Sequence, residues 1–136
     1  MDTDVMVAAV RSDAGASRLI LRSALLRQFE LLLSVPLMLE YEAVLKRPVH
    51  LKAAGASASE IDAILDAVSA IGKPVTSTFS WRPSVADPAD ETVLEAAVNG
   101  LADIVITFNL RHLGAAARRF GIRAVRPPDA IGFLEV

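Results

Sequence analysis

Short apolar segments rich in β-branched residues alternate with amphipathic segments along this chain, and this alternation restricts its possible folds more than any other feature. The clearest apolar segment is 103–107, where Ile104, Val105 and Ile106 follow one another and favour a strand. Strands that are apolar without alternation are buried on both faces, which is typical of a parallel sheet covered by helices. The sequence therefore predicts an α/β fold with three layers (α/β/α) around a central, mainly parallel sheet.

Periodicity and capping residues predict the individual elements. The predicted strands are 1–10, 29–33, 74–80, 103–107 and 122–125. The predicted helices are 18–28, 36–46, 90–99 and 110–120. A further helix is capped by Ser57 or Ser59 and runs to 70, and a last helical turn begins at Pro127. Residues 51–57 are interpreted as a loop or frayed helix, and 81–89 as a loop. Because the sequence has no repeat and no linker, residues 1–136 are predicted to form one domain.

The residue types narrow the chemistry that such a fold can perform. The chain has no cysteine, which excludes disulfides, zinc–thiolate sites and thiol nucleophiles and fits a reducing compartment. Its two histidines, His50 and His112, are too few for a histidine-rich metal site. Any bound metal is therefore expected to be a hard cation held by oxygen ligands.

Charge and hydropathy bear on partners and location. The formal net charge is −2, so the chain lacks the overall basic character that is common among nucleic-acid-binding proteins. Basic side chains do cluster at 18–27 and 111–126, where solvated helix faces are the competing interpretation. No apolar run approaches the ~20 residues of a membrane helix, and Asp2 and Asp4 stand where a secretory signal carries basic residues. We therefore expect a cytoplasmic protein without a membrane segment.

Polar residues stand near several predicted junctions between strands and helices, which is where ligands bind in an open parallel sheet. They are Asp2, Asp4, Glu40, Asp90, Thr107 and Asn109. Structural interpretations compete: Asp90 can cap a helix, Glu40 can lie on a helix surface, and Asn109 can belong to a turn. Carboxylates that are brought together repel one another unless a cation compensates their charge. The set therefore predicts a Mg²⁺ or Mn²⁺ site suited to phosphodiester hydrolysis. We interpret Asp87, Asp103 and His112 as structural residues.

Four segments together resemble the motifs of a known family. Residues 2–7 (DTDVMV) are similar to a first motif in which Asp is followed by Thr or Ser, usually Asn, and an apolar run. Residues 34–48 resemble the second motif, with Glu40 at its acidic position, and residues 87–97 the third, with Asp90 at its aspartate. Residues 102–113 resemble the fourth, which is the most specific together with its spacing from the third. The chain thus resembles the PIN domain nearly end to end, and within that family the bacterial single-domain toxins of the VapC type.

This resemblance implies a metal-dependent endoribonuclease that acts as the toxin of a toxin–antitoxin pair. Asp2, Glu40 and Asp90 would bind Mg²⁺ or Mn²⁺, Asn109 would complete the site, and Thr107 would position a ligand or water. A metal-activated water would then hydrolyse phosphodiester bonds of RNA. The RNA backbone would be contacted by Arg111, Arg118 and Arg119. Toxins of this type usually form homodimers and are silenced by a cognate antitoxin protein.

Two departures from the family pattern bear on activity. The fourth motif usually carries Asp where this chain has Asn109, which removes one negative charge and is expected to weaken metal binding. Family members usually have several apolar residues before the first Asp, whereas Met1 directly precedes Asp2 here, so a shortened first strand is expected. Asp4 stands where Asn is usual, and either restores negative charge or perturbs the site.

Two other functions are compatible with the sequence. A PIN-like scaffold with a weakened site would bind RNA or a partner protein without cleavage, which Asn109 and the short first strand favour. In a haloacid-dehalogenase-like phosphatase, Asp2 would be the nucleophile and Asp4 the acid/base, and only this enzyme would form an aspartyl-phosphate. Ser34 could serve such a site, but Lys73 is badly placed and no Asp-Asp pair follows the fourth strand.

Overall fold

Helices predominate in the part of the chain that the computed structural model describes, residues 1–76 and 88–134, and its strands are short. The helices are α1 (Thr3–Arg11), α2 (Ala16–Leu25), α3 (Val35–Leu45), α4 (Pro48–Ala54), α5 (Ala58–Ile71), α6 (Pro88–Asn99), α7 (Ala115–Arg118) and α8 (Pro127–Leu134). A π-helical turn, Leu110–Gly114, leads directly into α7. The strands are β1 (Leu32–Leu33), β2 (Lys73–Pro74), β3 (Ile104–Ile106) and β4 (Arg123–Val125).

The strands pair in parallel, as predicted for an α/β protein. Strand β1 pairs with β2, with Leu32 opposite Lys73, and β3 pairs with β4, with Ile104 opposite Arg123. Within the described residues, however, these are two separate two-stranded sheets, so the predicted single central sheet is not formed by them. Residues 77–80 of the predicted third strand and 81–87 of the predicted loop, including Asp87, lie outside the described residues.

The first predicted strand, 1–10, is wrong: residues 3–11 form helix α1. The Asp2 side chain caps this helix by accepting a hydrogen bond from the Thr3 N–H, which satisfies a backbone donor that helix formation would leave unpaired. Met6, Ala9 and Val10 are then buried in one core cluster, at a spacing that puts them on one helix face, and Val5 is buried in a second cluster. Capping and burial outweigh the β propensity of the valines.

Other boundaries differ from prediction by small, explicable amounts. Helix α5 begins after Ser57, whose hydroxyl and Glu60 form a capping box. Of the segment 51–57, interpreted as a loop or frayed helix, residues 51–54 belong to helix α4. Helix α6 begins at Pro88, so residues 88–89 of the predicted loop are helical. The predicted helix 110–120 divides into the π-helical turn and α7, and Gly121 follows with a φ of 72°, a conformation that glycine adopts without steric cost.

Helix α1 occupies the centre of the packing. It contacts α2, α3 and α4, while α2 also packs against α8 and α3 against α5 and α6. The largest fully buried side chains include Met6, Ile20, Leu37, Tyr41 and Leu94. This packing places the start of α1 beside the end of β3, where the predicted polar residues stand. No helix in the described ranges has the length and apolar character needed to cross a bilayer.

Candidate active site

Thr107, the first residue after β3, is the structural centre of the predicted site. Its side chain has no solvent exposure, and its backbone N–H donates to the Val125 carbonyl of the neighbouring strand at 2.9 Å. The Thr107 hydroxyl donates to Oδ2 of Asp2 at 2.6 Å. It also accepts from the backbone N–H of Asn109 at 2.9 Å. One buried hydroxyl therefore fixes two residues of the predicted set at the carboxyl end of the strand.

Asp2 lies between this strand end and helix α1. Its Oδ1 accepts from the Thr3 N–H at 2.8 Å, and its own backbone N–H donates to the Ile106 carbonyl at 2.9 Å. Only 4% of the residue is exposed, and no basic side chain within 1–76 or 88–134 forms an ion pair with it. Burial raises the pKa of Asp2; the charge of Asp4 adds to the rise, while hydrogen bonds from Thr107 and Thr3 oppose it.

Glu40 reaches the same group from helix α3. Ser34 caps that helix by accepting from the Leu37 N–H, and Glu40 follows in its second turn, half-buried. The Thr3 hydroxyl donates to Oε2 of Glu40. Because the Thr3 backbone also bonds to Asp2, this one residue links the carboxylates of Asp2 and Glu40.

Asp90 reaches the group from helix α6. It is the third residue of that helix, so the N-cap interpretation is wrong, and only 6% of the residue is exposed. The Asn109 side chain donates from Nδ2 to Oδ2 of Asp90 at 2.9 Å. Asn109 also caps the π-helical turn, since its Oδ1 accepts from the His112 N–H at 3.4 Å. Asn109 therefore has both a structural role and a contact with the predicted site.

A continuous hydrogen-bonded chain thus joins three carboxylates from α1, α3 and α6 at the end of β3. We call this group the acidic network; it comprises Asp2, Thr3, Glu40, Asp90, Thr107 and Asn109. The carboxylates are separated by hydroxyl and amide donors rather than gathered around one point. Accordingly, no three His, Asp or Glu side chains of the described residues are grouped closely enough to hold a metal ion together.

The PIN domain profile matches residues 1–111, a range that contains every residue of the acidic network. The chain belongs to the PIN domain family. No curated protein and no solved structure gives a significant match. The PIN domain is a nuclease-type α/β domain, so membership agrees with a cluster of acidic residues at the carboxyl end of a parallel strand.

The acidic network of this PIN domain has the donor chemistry that a hard divalent cation requires. Its possible ligands are carboxylate and amide oxygens, which suit Mg²⁺ and Mn²⁺. Burial of the Asp2 carboxylate without an ion-paired basic side chain in the described ranges is unfavourable, and a cation would offset that cost. The residues present therefore fit a metal in chemistry, although the carboxylates are held apart by their hydrogen bonds.

Other predicted residues of this PIN domain lie beside the acidic network rather than in it. Asp4 is exposed in the first turn of α1, close enough to influence the Asp2 carboxyl. Arg111 is exposed two residues after Asn109, while Arg118 and Arg119 are exposed at the end of α7. His112, which was interpreted as structural, has an exposed position, and Asn109 accepts from its backbone N–H.

Two contributors to the site were not among the predicted site residues. Thr3 links Asp2 to Glu40, and the hydroxyl residue that follows Asp in the first motif was the signal that could have identified it. Tyr41 is fully buried and donates its hydroxyl to the Met1 carbonyl. Burial raises the pKa of Tyr41, and the charges of Asp2 and Glu40 add to the rise, so the phenol stays protonated. No local pattern distinguished this tyrosine from an ordinary core residue.

The raised pKa of Asp2 leads to a prediction about stability and pH. The folded state holds the Asp2 proton more tightly than the unfolded chain, so this carboxyl loses its contribution to stability as the pH rises through the raised pKa. We expect Asp2→Asn, measured in EDTA, to gain unfolding free energy relative to the unchanged protein as the pH rises above about 4, the ordinary pKa of an Asp carboxyl. Urea denaturation at several pH values measures this difference.

Asp66→Asn, on the exposed face of α5, is the matched control and should show no such gain. Parallel curves for the unchanged protein and Asp2→Asn would mean that the Asp2 carboxyl has the same pKa in the folded and unfolded states.

Proposed function

We propose that this PIN domain is a Mg²⁺- or Mn²⁺-dependent endoribonuclease and the toxin of a VapC-type toxin–antitoxin pair. The observation that supports the proposal is the acidic network, which brings Asp2, Glu40 and Asp90 from three helices to the end of β3. These are the acidic residues that the first three family motifs single out. The proposal treats residues 1–136 as one catalytic domain.

In this proposal the carboxylates of Asp2, Glu40 and Asp90 would hold the cation. The cation supplies positive charge that stabilises the phosphate during hydrolysis and makes water more acidic. Thr107 orients Asp2 through its hydroxyl, and Thr3 does the same for Glu40. Because both threonines are buried, their hydroxyls hold the carboxylates in place before substrate binds.

Substrate contact is assigned to the exposed arginines that follow the site. Arg111 stands two residues beyond Asn109, and Arg118 and Arg119 lie about two turns further on. Arginine pairs with phosphate oxygens independently of base sequence, which suits the backbone of RNA. The proposed toxin forms a homodimer, is inhibited by a cognate antitoxin protein and acts in the cytoplasm.

One contact favours a second candidate function, a PIN scaffold that binds RNA or a partner protein without cleaving RNA. The Asn109 amide, a neutral donor, already forms a hydrogen bond to Oδ2 of Asp90 at 2.9 Å. The aspartate that is usual at position 109 in the family would place another anion there instead. The hydrogen bond from the amide reduces the need for a cation at that carboxylate. The phosphatase alternative has no comparable support, since Asp4 is exposed outside the acidic network.

Incubation of purified protein with a pool of labelled single-stranded RNA distinguishes these candidates. We expect cleavage in Mg²⁺ or Mn²⁺ and none in EDTA, because the buried carboxylates need a cation to act on an anionic phosphate. RNA binding without cleavage in either metal would support the scaffold instead. Cleavage that continues at the same rate in EDTA would contradict the metal-dependent mechanism.

A further inference from the structure

A groove of about 460 Å³ lies between strand β4 and the helical segment that precedes it. Residues 122–124 form one side, and the other side is formed by Leu110 and Gly114 of the π-helical turn together with Arg118 and Gly121. Leu110, Arg118 and Gly121 are exposed, so the groove is open to solvent. We call it the β4 groove; its volume is within the range of ligand-binding sites in proteins.

The backbone of β4 directs hydrogen-bonding groups into this groove. The Thr107 N–H donates to the Val125 carbonyl, so Val125 faces β3, and successive residues of a strand direct their backbone groups to opposite sides. The N–H and C=O of Ala124 consequently point away from β3. No group within residues 1–76 or 88–134 forms a hydrogen bond with either of them. A strand edge with such free groups favours pairing with another extended chain.

The opposite wall of the groove suits an extended chain beside β4. A Cβ atom placed on Gly114 would lie 3.6 Å from the Ala124 Cβ, so the π-helical turn covers the face to which the Ala124 side chain points. Successive side chains of a strand point to opposite faces. Every second side chain of an added segment would therefore face this wall, which offers apolar contact at Leu110 and a positive charge at Arg118.

Charge indicates which kind of segment fits. Residues 104–128 contain no Asp or Glu and have five arginines, at positions 111, 118, 119, 123 and 126. None of these arginines forms an ion pair with a carboxylate in the described ranges. Pairing of β4 with β4 of a second copy would bring like charges together, which is unfavourable, whereas an acidic segment would be attracted.

We propose that the β4 groove is a docking site for an acidic, extended segment of a partner protein. The segment pairs with the backbone of Ala124 and places carboxylates beside Arg118. In this mode of recognition, main-chain hydrogen bonds supply affinity and alternate side chains supply specificity. The β4 groove shares no residue with the acidic network, and docking is independent of catalysis. Competition of the segment with RNA for Arg118 is a consequence that rests on the proposed function.

Three synthetic hexapeptides test the proposal by NMR on the 136-residue chain. One alternates Val and Glu, the second alternates Val and Lys, and the third is the Val-Glu peptide with N-methyl groups on alternate residues, which keeps its charge but removes main-chain donors. We expect the Val-Glu peptide at saturation to slow hydrogen exchange of the Ala124 amide at least about 10-fold. The Val125 amide, which faces β3, should change much less, and the other two peptides should protect neither amide.

Three results of this experiment would overturn the proposal. The first is unchanged exchange of Ala124 with millimolar Val-Glu peptide, which would mean that the edge does not pair. The second is equal protection by the N-methylated peptide, which would mean that charge alone attracts it. The third is equal protection by a single-stranded RNA oligomer, which would assign this edge to nucleic acid.

Two charge reversals locate the bound peptide. Arg118 lines the β4 groove, whereas the next residue, Arg119, does not, and both are exposed, so Arg119→Glu is the matched control for Arg118→Glu. We expect Arg118→Glu to raise Kd for the Val-Glu peptide at least about 5-fold and Arg119→Glu to raise it less than about 2-fold. Equal weakening by the two changes would contradict binding in the groove. These measurements involve neither RNA cleavage nor a metal, so their outcome is separate from that of the proposed function.

Discussion

Asp90→Asn is expected to reduce metal-dependent RNA cleavage by at least about 100-fold while leaving Tm within a few degrees of that of the unchanged protein. The substitution removes one negative charge from the proposed metal ligands, and losses of this size are typical when a group that stabilises charge in the transition state is removed. The fold should survive because the amide oxygen of the new side chain can still accept the Asn109 hydrogen bond. Initial rates on labelled RNA in Mn²⁺, together with thermal denaturation, measure both effects.

Asp66→Asn is the matched control for this variant. It makes the same chemical change on the exposed face of helix α5, away from the acidic network, and should cleave at the unchanged rate. If Asp90→Asn cleaved as fast as this control, Asp90 would have no part in catalysis, and a nuclease centred on the acidic network would be wrong.

Asn109→Asp is expected to make the folded protein depend on metal. The change replaces the amide that donates to Asp90 at 2.9 Å with a second carboxylate, which removes this hydrogen bond and adds like-charge repulsion. In EDTA we expect a loss of about 1–3 kcal/mol in unfolding free energy. In Mn²⁺ the variant should recover stability, show a larger metal-induced rise in Tm than the unchanged protein, and cleave RNA faster.

Asn99→Asp provides the comparison, because the Asn99 amide donates to the Glu95 carbonyl at 2.9 Å within α6 and is not part of the acidic network. Its stability should not respond to Mn²⁺ more than that of the unchanged protein. A destabilised Asn109→Asp protein that gains nothing from Mn²⁺ would favour the scaffold function, since the two carboxylates would then repel each other without forming a cation site.

The parallel pairing and most helices could be predicted because their signals are local. The β-branched residues of 104–106, the Ser57–Glu60 capping box and the proline at the start of α3 each act within a few residues. Helix α1 could not be predicted in this way. Its valines favour a strand locally, and only the cap by Asp2 and burial against α2 and α3 decide for a helix. The division of the sheet is likewise a property of tertiary packing that short strands do not reveal.

The candidate site was predictable in its residues but not in its connections. Motif positions singled out Asp2, Glu40 and Asp90, and the structure brings all three into one hydrogen-bonded chain. Thr3 was not identified as the link between two of them, because its neighbour in space lies 37 residues away in sequence. The Asn109–Asp90 hydrogen bond spans 19 residues and was equally hidden. Contacts of this range depend on how helices pack, which no short pattern encodes.

Thr107 determines how the site comes apart when the protein fluctuates. Its hydroxyl has a single proton, which it donates to Asp2, so the contact with Asn109 uses a lone pair of the same oxygen. One part of the acidic network contains Asp2, Thr3 and Glu40, and the other contains Asn109 and Asp90. The two parts therefore meet at one atom, in a residue whose backbone is bonded to β4. Separation of β3 from β4 breaks the backbone bond from the Thr107 N–H to the Val125 carbonyl, which helps to hold that atom in place. Opening of the site is thus coupled to melting of this strand pair, and loss of activity on heating should coincide with loss of its amide protection.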